Sequence, residues 1–458
     1  MNIKEKLYEK KEFNGVLHTT FNPYEPGVVR IHLIPPKFSW FKTKASVAII
    51  NGHDIIPVNN SWAILLSIFI KHVNKFAGNE ITDAQISTII TDTVKDVKKI
   101  YGKHLKDEII KSDLNRIINT FKSIALGKLI EEDIQIISIG EYAKYMTAPH
   151  RMDIMISSMQ KNNNWNCNQK CIHCYAAGQD SANVEELSTE QLKKVIEKCR
   201  KIGIPQITFT GGEPTLRKDL VELVDYSKWF VTRVNTNGVL LTKELCEKLY
   251  KSSLDSIQIT LYSNNPQIHN TLVGAENFNK TVQGIKNAIN AGLNVSINTP
   301  LCKLNSNYVD TLKFIKELGV KYVSCSSIIL SGNAKKEESI NMQLNKNDLF
   351  DILKKSVEYC NDNLIEINFT SPGWLENDKF KELGIQTPSC GACLSNMAIA
   401  PNGDVVPCQS WLSKNSSLGN ILTDDWNKIW NSKKCIKIRH ESCKMKGICP
   451  LKDEKGVN

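Results

Sequence analysis

The chain has 458 residues, 41% hydrophobic and 23% charged, with a formal net charge of +10 and 14 cysteines. That composition belongs to a globular chain long enough for several domains and excludes a disordered or fibrous one. Its lysines are spread along the chain and are not interleaved with aromatics, which argues for a solvated surface and no nucleic acid, and leaves an acidic peptide as a fitting anionic partner.

The longest clean apolar run, Trp62–Ile70, falls short of the ~20 residues a bilayer span needs. The start, Met1-Asn-Ile-Lys-Glu-Lys, has no apolar core, so a cytoplasmic protein with no membrane partner is expected. Cysteines in that compartment point to metal or redox work rather than disulfides. They are unevenly placed: none in the first 166 residues, three at 167–174 and six in the last 69. The isolated Cys199, Cys246, Cys302, Cys325 and Cys360 read as small core residues.

In chain order, residues 1–24 read as an irregular lead-in. Val28–Ile34, Ala45–Ile50 and His53–Val58 read as strands, the last two joined by an Asn51-Gly52 turn. Asn60-Ser61 can cap a helix through Trp62, Leu65, Leu66 and Phe69. Thr82-Asp83 opens a second, with Ile86, Ile90, Val94, Val97 and Ile100 at helical spacing, and a third covers about 106–123. Strands followed by helices imply a small α+β domain over 1–126. It is either a structural extension or a binding module whose open sheet edge adds an extended peptide.

Residues 127–150 read as a connector. From Met152 a strand–helix alternation begins, with strands at 152–159, 206–210, 230–234, 257–261, 294–299 and 322–326 and a capping box at Ser188–Gln191. Such alternation gives a helix-covered parallel sheet, curved or closed as a barrel. Met152, Met155 and Met159 read as core. Sites in these folds gather at the C-terminal ends of strands. There the chain carries Cys167-x3-Cys171-x2-Cys174, then Gly211-Gly212-Glu213-Pro214, then Asn235-Thr236-Asn237-Gly238, then Thr260 and Tyr262. The thiolate triplet suits a cubic iron–sulfur cluster with one open iron; a zinc site completed by His173 is the alternative. Near the C-terminus come Cys390-Gly-Ala-Cys393, the Asn402-Gly403 hairpin signal leading to Cys408, and Cys443-x5-Cys449. A zinc-ribbon-like clip is the alternative there.

Residues 152–345 resemble the radical S-adenosylmethionine (radical SAM) superfamily in the combination of the cysteine triplet, Gly-Gly-Glu-Pro and Thr-Asn-Gly. The resemblance implies an α/β fold with a partial (β/α)6 TIM-type barrel. Cys167, Cys171 and Cys174 would hold a [4Fe–4S] cluster that binds S-adenosylmethionine, with Gly211, Gly212 and Glu213 at the cofactor's amino group and Asn237 and Thr260 near its ribose or carboxylate. The 5′-deoxyadenosyl radical so generated takes a hydrogen from the substrate. His173 and Tyr175 read as shielding, and no general acid or base is assigned. The stretch after strand four departs from the family: Thr260-Leu-Tyr262, His269-Asn270 and Val273-Gly274 lack an aspartate and an arginine found in relatives.

The C-terminal cysteines resemble a SPASM or twitch extension, implying one auxiliary [4Fe–4S] cluster on Cys390, Cys408, Cys443 and Cys449, with Cys393 and Cys435 as spares. The first domain is similar, through element order and Val58-Asn-Asn-Ser-Trp-Ala63, to the winged-helix-like leader-recognition element of enzymes that modify ribosomally made peptides. The expected organisation is 1–126 leader recognition, 127–150 connector, 151–345 radical SAM core and 346–458 auxiliary iron–sulfur domain. The expected function is modification of a precursor peptide, by a cross-link such as a thioether or another hydrogen-abstraction chemistry, with a flavodoxin or ferredoxin as reductant. The alternatives are a maturase of a folded protein or small molecule, and a non-catalytic metal-binding regulator.

Overall fold

The computed structural model describes residues 17–21, 29–34, 46–52, 54–76, 81–128, 134–143, 146–162, 164–444 and 449–452. Val28, Ala45 and His53, expected at strand ends, and most of the lead-in lie outside these. The chain divides into two compact units, the first being Met1–His150 with Ile196–Gln206 and Ser227–Val231, the second the remainder.

In the first unit, β1 (Leu17–Phe21), β2 (Val29–Ile34), β3 (Ser46–Ile50) and β4 (Asp54–Val58) form an antiparallel sheet in that order. β1 lies where the sequence reads as irregular: Leu-His-Thr-Thr-Phe has too weak an apolar alternation to announce a five-residue strand. Asn51 and Gly52 both take positive φ, 49° and 70°, as a tight two-residue hairpin turn requires. Three helices follow: α1 (Asn60–Val73), α2 (Asp83–Tyr101) and α3 (Asp107–Ala125). The cap of α1 is Asn59, one residue earlier than expected, its side chain accepting from Trp62 N at 2.8 Å. Thr82 and Gln85 form a capping box on α2. The shared core joins Ile31, Leu33, Ile56, Leu66, Leu114 and Phe121. The outer edge of β4 is partly taken: Ile137 N donates to Ile55 O at 2.9 Å.

The second unit is built on a sheet that grows from β5 (Arg151–Ser157), which is followed by a small hairpin of β6 (Gln160–Lys161) and β7 (Asn164–Trp165). The next strands are β8 (Gln206–Gly211), β9 (Val231–Thr236), β10 (Ser256–Thr260), β11 (Val295–Leu301), β12 (Tyr322–Ser327) and β13 (Glu366–Phe369). Past the cysteines come β14 (Asn396–Ile399), β15 (Asp404–Val406) and β16 (Gly419–Asn420). Strand order is β13-β12-β11-β10-β9-β8-β5-β14-β15-β16. The six expected strands are all present. β13 adds a parallel strand at one end, and β14 adds another alongside β5 at the other. Met152, Met155, Met159 and the five isolated cysteines are buried, as their packing role requires. Among the described residues no helix is long and apolar enough to cross a membrane.

The central strands alternate, which is unusual for a parallel sheet buried on both faces. Val234, Ile257, Ile259, Val295 and Ile297 are buried on one face, while Arg233, Asn235, Ser256, Gln258, Ser296 and Asn298 share the other. One face packs on helices and the other lines a polar cavity.

Gly284, inside the helix Phe278–Asn290, marks the tightest approach to backbone among the described glycines: an added Cβ would stand 2.1 Å from the carbonyl oxygen of Gly238. Alanine in an open helix interior stabilises by about 1 kcal/mol over glycine. Here Gly284→Ala should instead destabilise by ~1–3 kcal/mol, because the backbone must shift. Urea unfolding checks this, and a variant as stable as the parent would refute the packing argument.

Candidate active site

The cysteine triplet sits on the loop after β7. Backbone bonds hold this loop from several sides. Lys170 N donates to Val273 O at 2.9 Å, Ile172 N to Leu272 O at 3.1 Å, and Asn333 N to Cys174 O at 2.9 Å. Ser339 Oγ donates to Ile172 O at 2.7 Å and Trp165 Nε1 to Gln169 O at 2.9 Å. So pinned, Cys167, Cys171 and Cys174 are half-buried and within electrostatic reach of one another.

The Gly-Gly-Glu turn comes up beside them, with Cys167 Sγ at 3.5 Å from Gly212 O. Both glycines are forced by contact with the end of β5. A Cβ at Gly211, whose φ is +150°, would stand 2.4 Å from Ser157 O, and one at Gly212 would stand 2.8 Å from Ser158 O.

Glu213 is 1% exposed. Its Oε1 accepts from Thr215 N at 3.0 Å, Thr215 Oγ1 at 2.5 Å and Thr236 Oγ1 at 2.6 Å; its Oε2 accepts from Asn237 N at 2.8 Å. Burial raises its pKa against the pull of those bonds. Asn237 in turn donates Nδ2 to Asn168 Oδ1 at 2.6 Å, inside the cysteine loop. Thr260 ends β10, half-buried and paired with Asn298. The structure therefore brings together the triplet, Gly211, Gly212, Glu213 and Asn237.

Burial pushes the Cys167 thiol up to about 12 and raises Cys171 and Cys174 as well. Thiols in such a setting give up their protons to a cation bound among them. The donor set fits an iron–sulfur centre: three sulfur ligands from one loop, partly accessible, beside a backbone free of side chains. His173 is buried with its ring edge-on to Tyr262, centroids 5.1 Å apart, and among the described residues neither ring nitrogen has a hydrogen-bond partner. Tyr262 continues to His269 and Phe278 in an aromatic row behind the loop.

The second cysteine group forms around the β14–β15 hairpin, whose tip is Asn402-Gly403, with Gly403 at φ +92°. Cys390, Cys408 and Cys449 lie together: burial first, then Cys449 and Cys390, raises the Cys408 thiol. Cys443 is exposed on the helix Lys433–Lys444. Cys393 and Cys435 form a buried, mutually hydrogen-bonded pair, which sequence reasoning left as spares. Arg439 donates Nη2 to Cys435 Sγ at 3.1 Å and Nε to Cys393 O at 2.9 Å, and lies over the Trp430 ring at 3.5 Å. The four-residue spacing of Cys435 and Arg439 on one helix was the available signal. Among the described residues no three Cys, His, Asp or Glu side chains close on a single ion.

The two groups share a wall. Gln179 donates Nε2 to Ser410 O at 3.0 Å and accepts from Leu412 N at 3.0 Å, and Ser181 N donates to Leu412 O at 2.9 Å. Ionisation of the Tyr175 phenol is opposed by burial first, and then by Cys174 on one side and Cys408 among the others.

Known families align with this division. The radical SAM superfamily signature matches residues 166–315, and that of the SPASM iron–sulfur cluster-binding domain matches 390–451. An AdoMet-dependent heme synthase of Methanosarcina barkeri is 26% identical over 309 residues, 64% of this chain and 86% of that one. The mycofactocin maturase MftC of Mycolicibacterium smegmatis is 29% identical over 279 residues, 58% of this chain and 67% of that one. A crystal structure of Streptococcus suis SuiB bound to precursor peptide SuiA superposes with a TM-score of 0.59, covering 89% of this chain and 93% of that one; at 16% identity the likeness is one of fold. With each signature lying over its own cysteine group, the chain is a radical SAM superfamily enzyme carrying a SPASM domain, and its cofactors are S-adenosylmethionine and iron–sulfur clusters.

Proposed function

We propose that this enzyme modifies a ribosomally synthesised precursor peptide. The observation that carries this reading is the fold shared over 89% of the chain with SuiB, which was crystallised with its precursor peptide. The maturase MftC among the relatives supports it. The leader would dock on residues 1–126, with 127–150 as connector, 151–345 as catalytic core and 346–458 as auxiliary iron–sulfur domain. A leader added to the sheet would pair along β1, or would displace the Ile137 bridge from β4.

Cys167, Cys171 and Cys174 would hold the [4Fe–4S] cluster; Gly211, Gly212 and Glu213, with Asn237 and Thr260, would receive S-adenosylmethionine. When bound, these groups supply one-electron reductive cleavage that starts hydrogen abstraction, with a flavodoxin or ferredoxin as electron source. The chain's own part is orientation. Glu213 clamps the ends of β8 and β9 together, Asn237 ties that clamp to the cysteine loop, and the Tyr262–His269–Phe278 row keeps water from behind it. A cross-link such as a thioether is the preferred outcome. The M. barkeri relative favours a second reading, a small-molecule substrate on the same scaffold.

The experiment is anaerobic reconstitution with S-adenosylmethionine, dithionite and the short peptides encoded beside the gene. The intact protein should form 5′-deoxyadenosine and change a peptide's mass, and Cys171→Ala should do neither. Turnover of nucleoside alone, with every peptide unchanged, would leave the small-molecule reading standing.

For the auxiliary centre, Cys390, Cys408 and Cys449 are proposed ligands together with Cys443, and Cys393 is the substitute that the geometry favours, its amide donating to Pro407 O at 3.2 Å beside Cys408. One auxiliary cubane together with the cubane on the cysteine triplet gives about eight irons per chain. If Cys393 is the fourth ligand, Cys393→Ala should lower the count by about four while Cys443→Ala leaves it unchanged; the opposite pattern restores Cys443.

Glu213→Gln tests the clamp. Thr215 N and Asn237 N each need an acceptor, from opposite carboxylate oxygens. An amide offers one oxygen, so one backbone N–H must face an NH2 group, costing ~1–3 kcal/mol. Thermal unfolding should show that loss together with weaker S-adenosylmethionine binding; parental stability would mean that the clamp carries no weight.

A further inference from the structure

A cavity of about 520 Å³ opens on the polar face of the parallel sheet, between the central strands and the segment Gln386–Ser389 that leads into Cys390. Several of its polar groups are already hydrogen-bonded. Gln258 Nε2 donates to Ser324 Oγ at 3.2 Å, and Ser324 Oγ donates to Asn298 Oδ1 at 2.9 Å.

Arg233 differs in its charge. Its Nε donates to Ser256 Oγ at 3.1 Å. Among the described residues no carboxylate stands within ion-pair distance of it. The neighbouring carboxylate, Asp153, is 1% exposed and engaged by Arg151 Nε at 2.9 Å. Two guanidinium groups therefore stand near one carboxylate, an excess of one positive charge in a partly desolvated place. Burial first, and Arg151 second, push the Arg233 pKa down, with Asp153 offsetting only in part. Glu366 also lines the cavity, but it is exposed and bonded to Asn368 Nδ2 at 3.4 Å. Ser296 adds a buried hydroxyl that has no partner among the described residues.

A guanidinium fork with free terminal nitrogens matches a carboxylate in shape and charge. A single excess charge suits a monoanion better than a phosphate dianion, which would call for further cations that the lining does not hold. We infer that Arg233 is a specificity-determining residue that receives a carboxylate of the substrate in this cavity, either an Asp or Glu side chain or a peptide C-terminus. The inference rests on the peptide reading above and names a chemical feature of that peptide.

The test uses the full-length reconstituted protein and three probes: acetyl-Gly-Glu-Gly-amide, acetyl-Gly-Gln-Gly-amide and acetyl-Gly-Gly-Gly with a free carboxylate. Calorimetry or saturation-transfer NMR gives their affinities for the parent, Arg233→Met and Arg233→Lys. The parent should bind a carboxylate probe about tenfold more tightly than the glutamine probe. Preference for the glutamate probe assigns a side chain, and preference for the free acid assigns a C-terminus. Arg233→Met should bring all three within about twofold of one another, while Arg233→Lys keeps part of the preference because the charge remains without the fork. Near-UV circular dichroism and iron content establish that each variant is folded, and Arg233→Gln, which retains a donor for Ser256, replaces the methionine variant if that one is not. No carboxylate preference in the parent, or a preference that survives loss of the guanidinium, overturns the inference. Failure to form 5′-deoxyadenosine would overturn the functional reading instead, and the titration is read independently of it.

Discussion

The buried carboxylate of Glu213 is the constraint on which the catalytic face depends. It gathers two backbone N–H groups and two hydroxyls from the turn after β8 and the end of β9. A carboxylate this buried is costly unless its oxygens are satisfied, so its four donors favour this meeting of the two strand ends. Through Asn237 and Asn168 the same knot reaches the cysteine loop. Through Gly211 and Gly212, pressed against Ser157 and Ser158, it sets the end of β5. Three loops from three strands thus come into register around one acidic side chain, and that register lets cysteines on one loop face glycines on another.

A second level of order joins the two cysteine groups. Met155, Met159, Ala176, Ala177, Ala182, Ala398, Val406 and Leu412 form one apolar cluster, with Cys167, Cys174 and Tyr175 packed against it. β14 extends the same sheet from β5, so the auxiliary hairpin is an outgrowth of the core rather than an appended module. Gln179 completes the union by spending both ends of its amide on the chain after Cys408. The cysteine loop and the auxiliary hairpin therefore rest on the same buried, close-packed side chains.

Much of this was legible in the sequence because it rests on local rules. Asn51-Gly52 demands positive φ twice, Ser188 and Gln191 cap a helix reciprocally, and the strand–helix alternation after Met152 has the period of a parallel sheet. The triplet and the Gly-Gly-Glu turn were legible as a pair because both follow strands. What escaped depends on distant partners. β1 exists by pairing with β2, and β13 and β14 are four-residue strands that only the sheet edges call into being. The Cys393–Cys435 pair joins residues far apart in the chain through a helix that also presents Arg439. The polar face was visible as alternation in Arg233, Ser256, Gln258 and Ser296, yet in a parallel sheet that alternation means a cavity only once helices are known to cover the opposite face.

The departures after β10 become intelligible in the same terms. Where the radical SAM resemblance implies an arginine before a glycine, this chain has Val273-Gly274. The structure uses this stretch for its backbone. Leu272 O and Val273 O accept from the cysteine loop, and Gly274, at φ +62°, passes so close that a Cβ would stand 2.6 Å from Lys170 O. The stretch thus supplies main-chain bonds that brace the loop itself. An arginine does face the polar cavity of the sheet: Arg233, on β9. The scaffold thereby braces the cysteine loop by backbone geometry and leaves its cavity arginine on a separate strand, where the carboxylate proposed above would meet it.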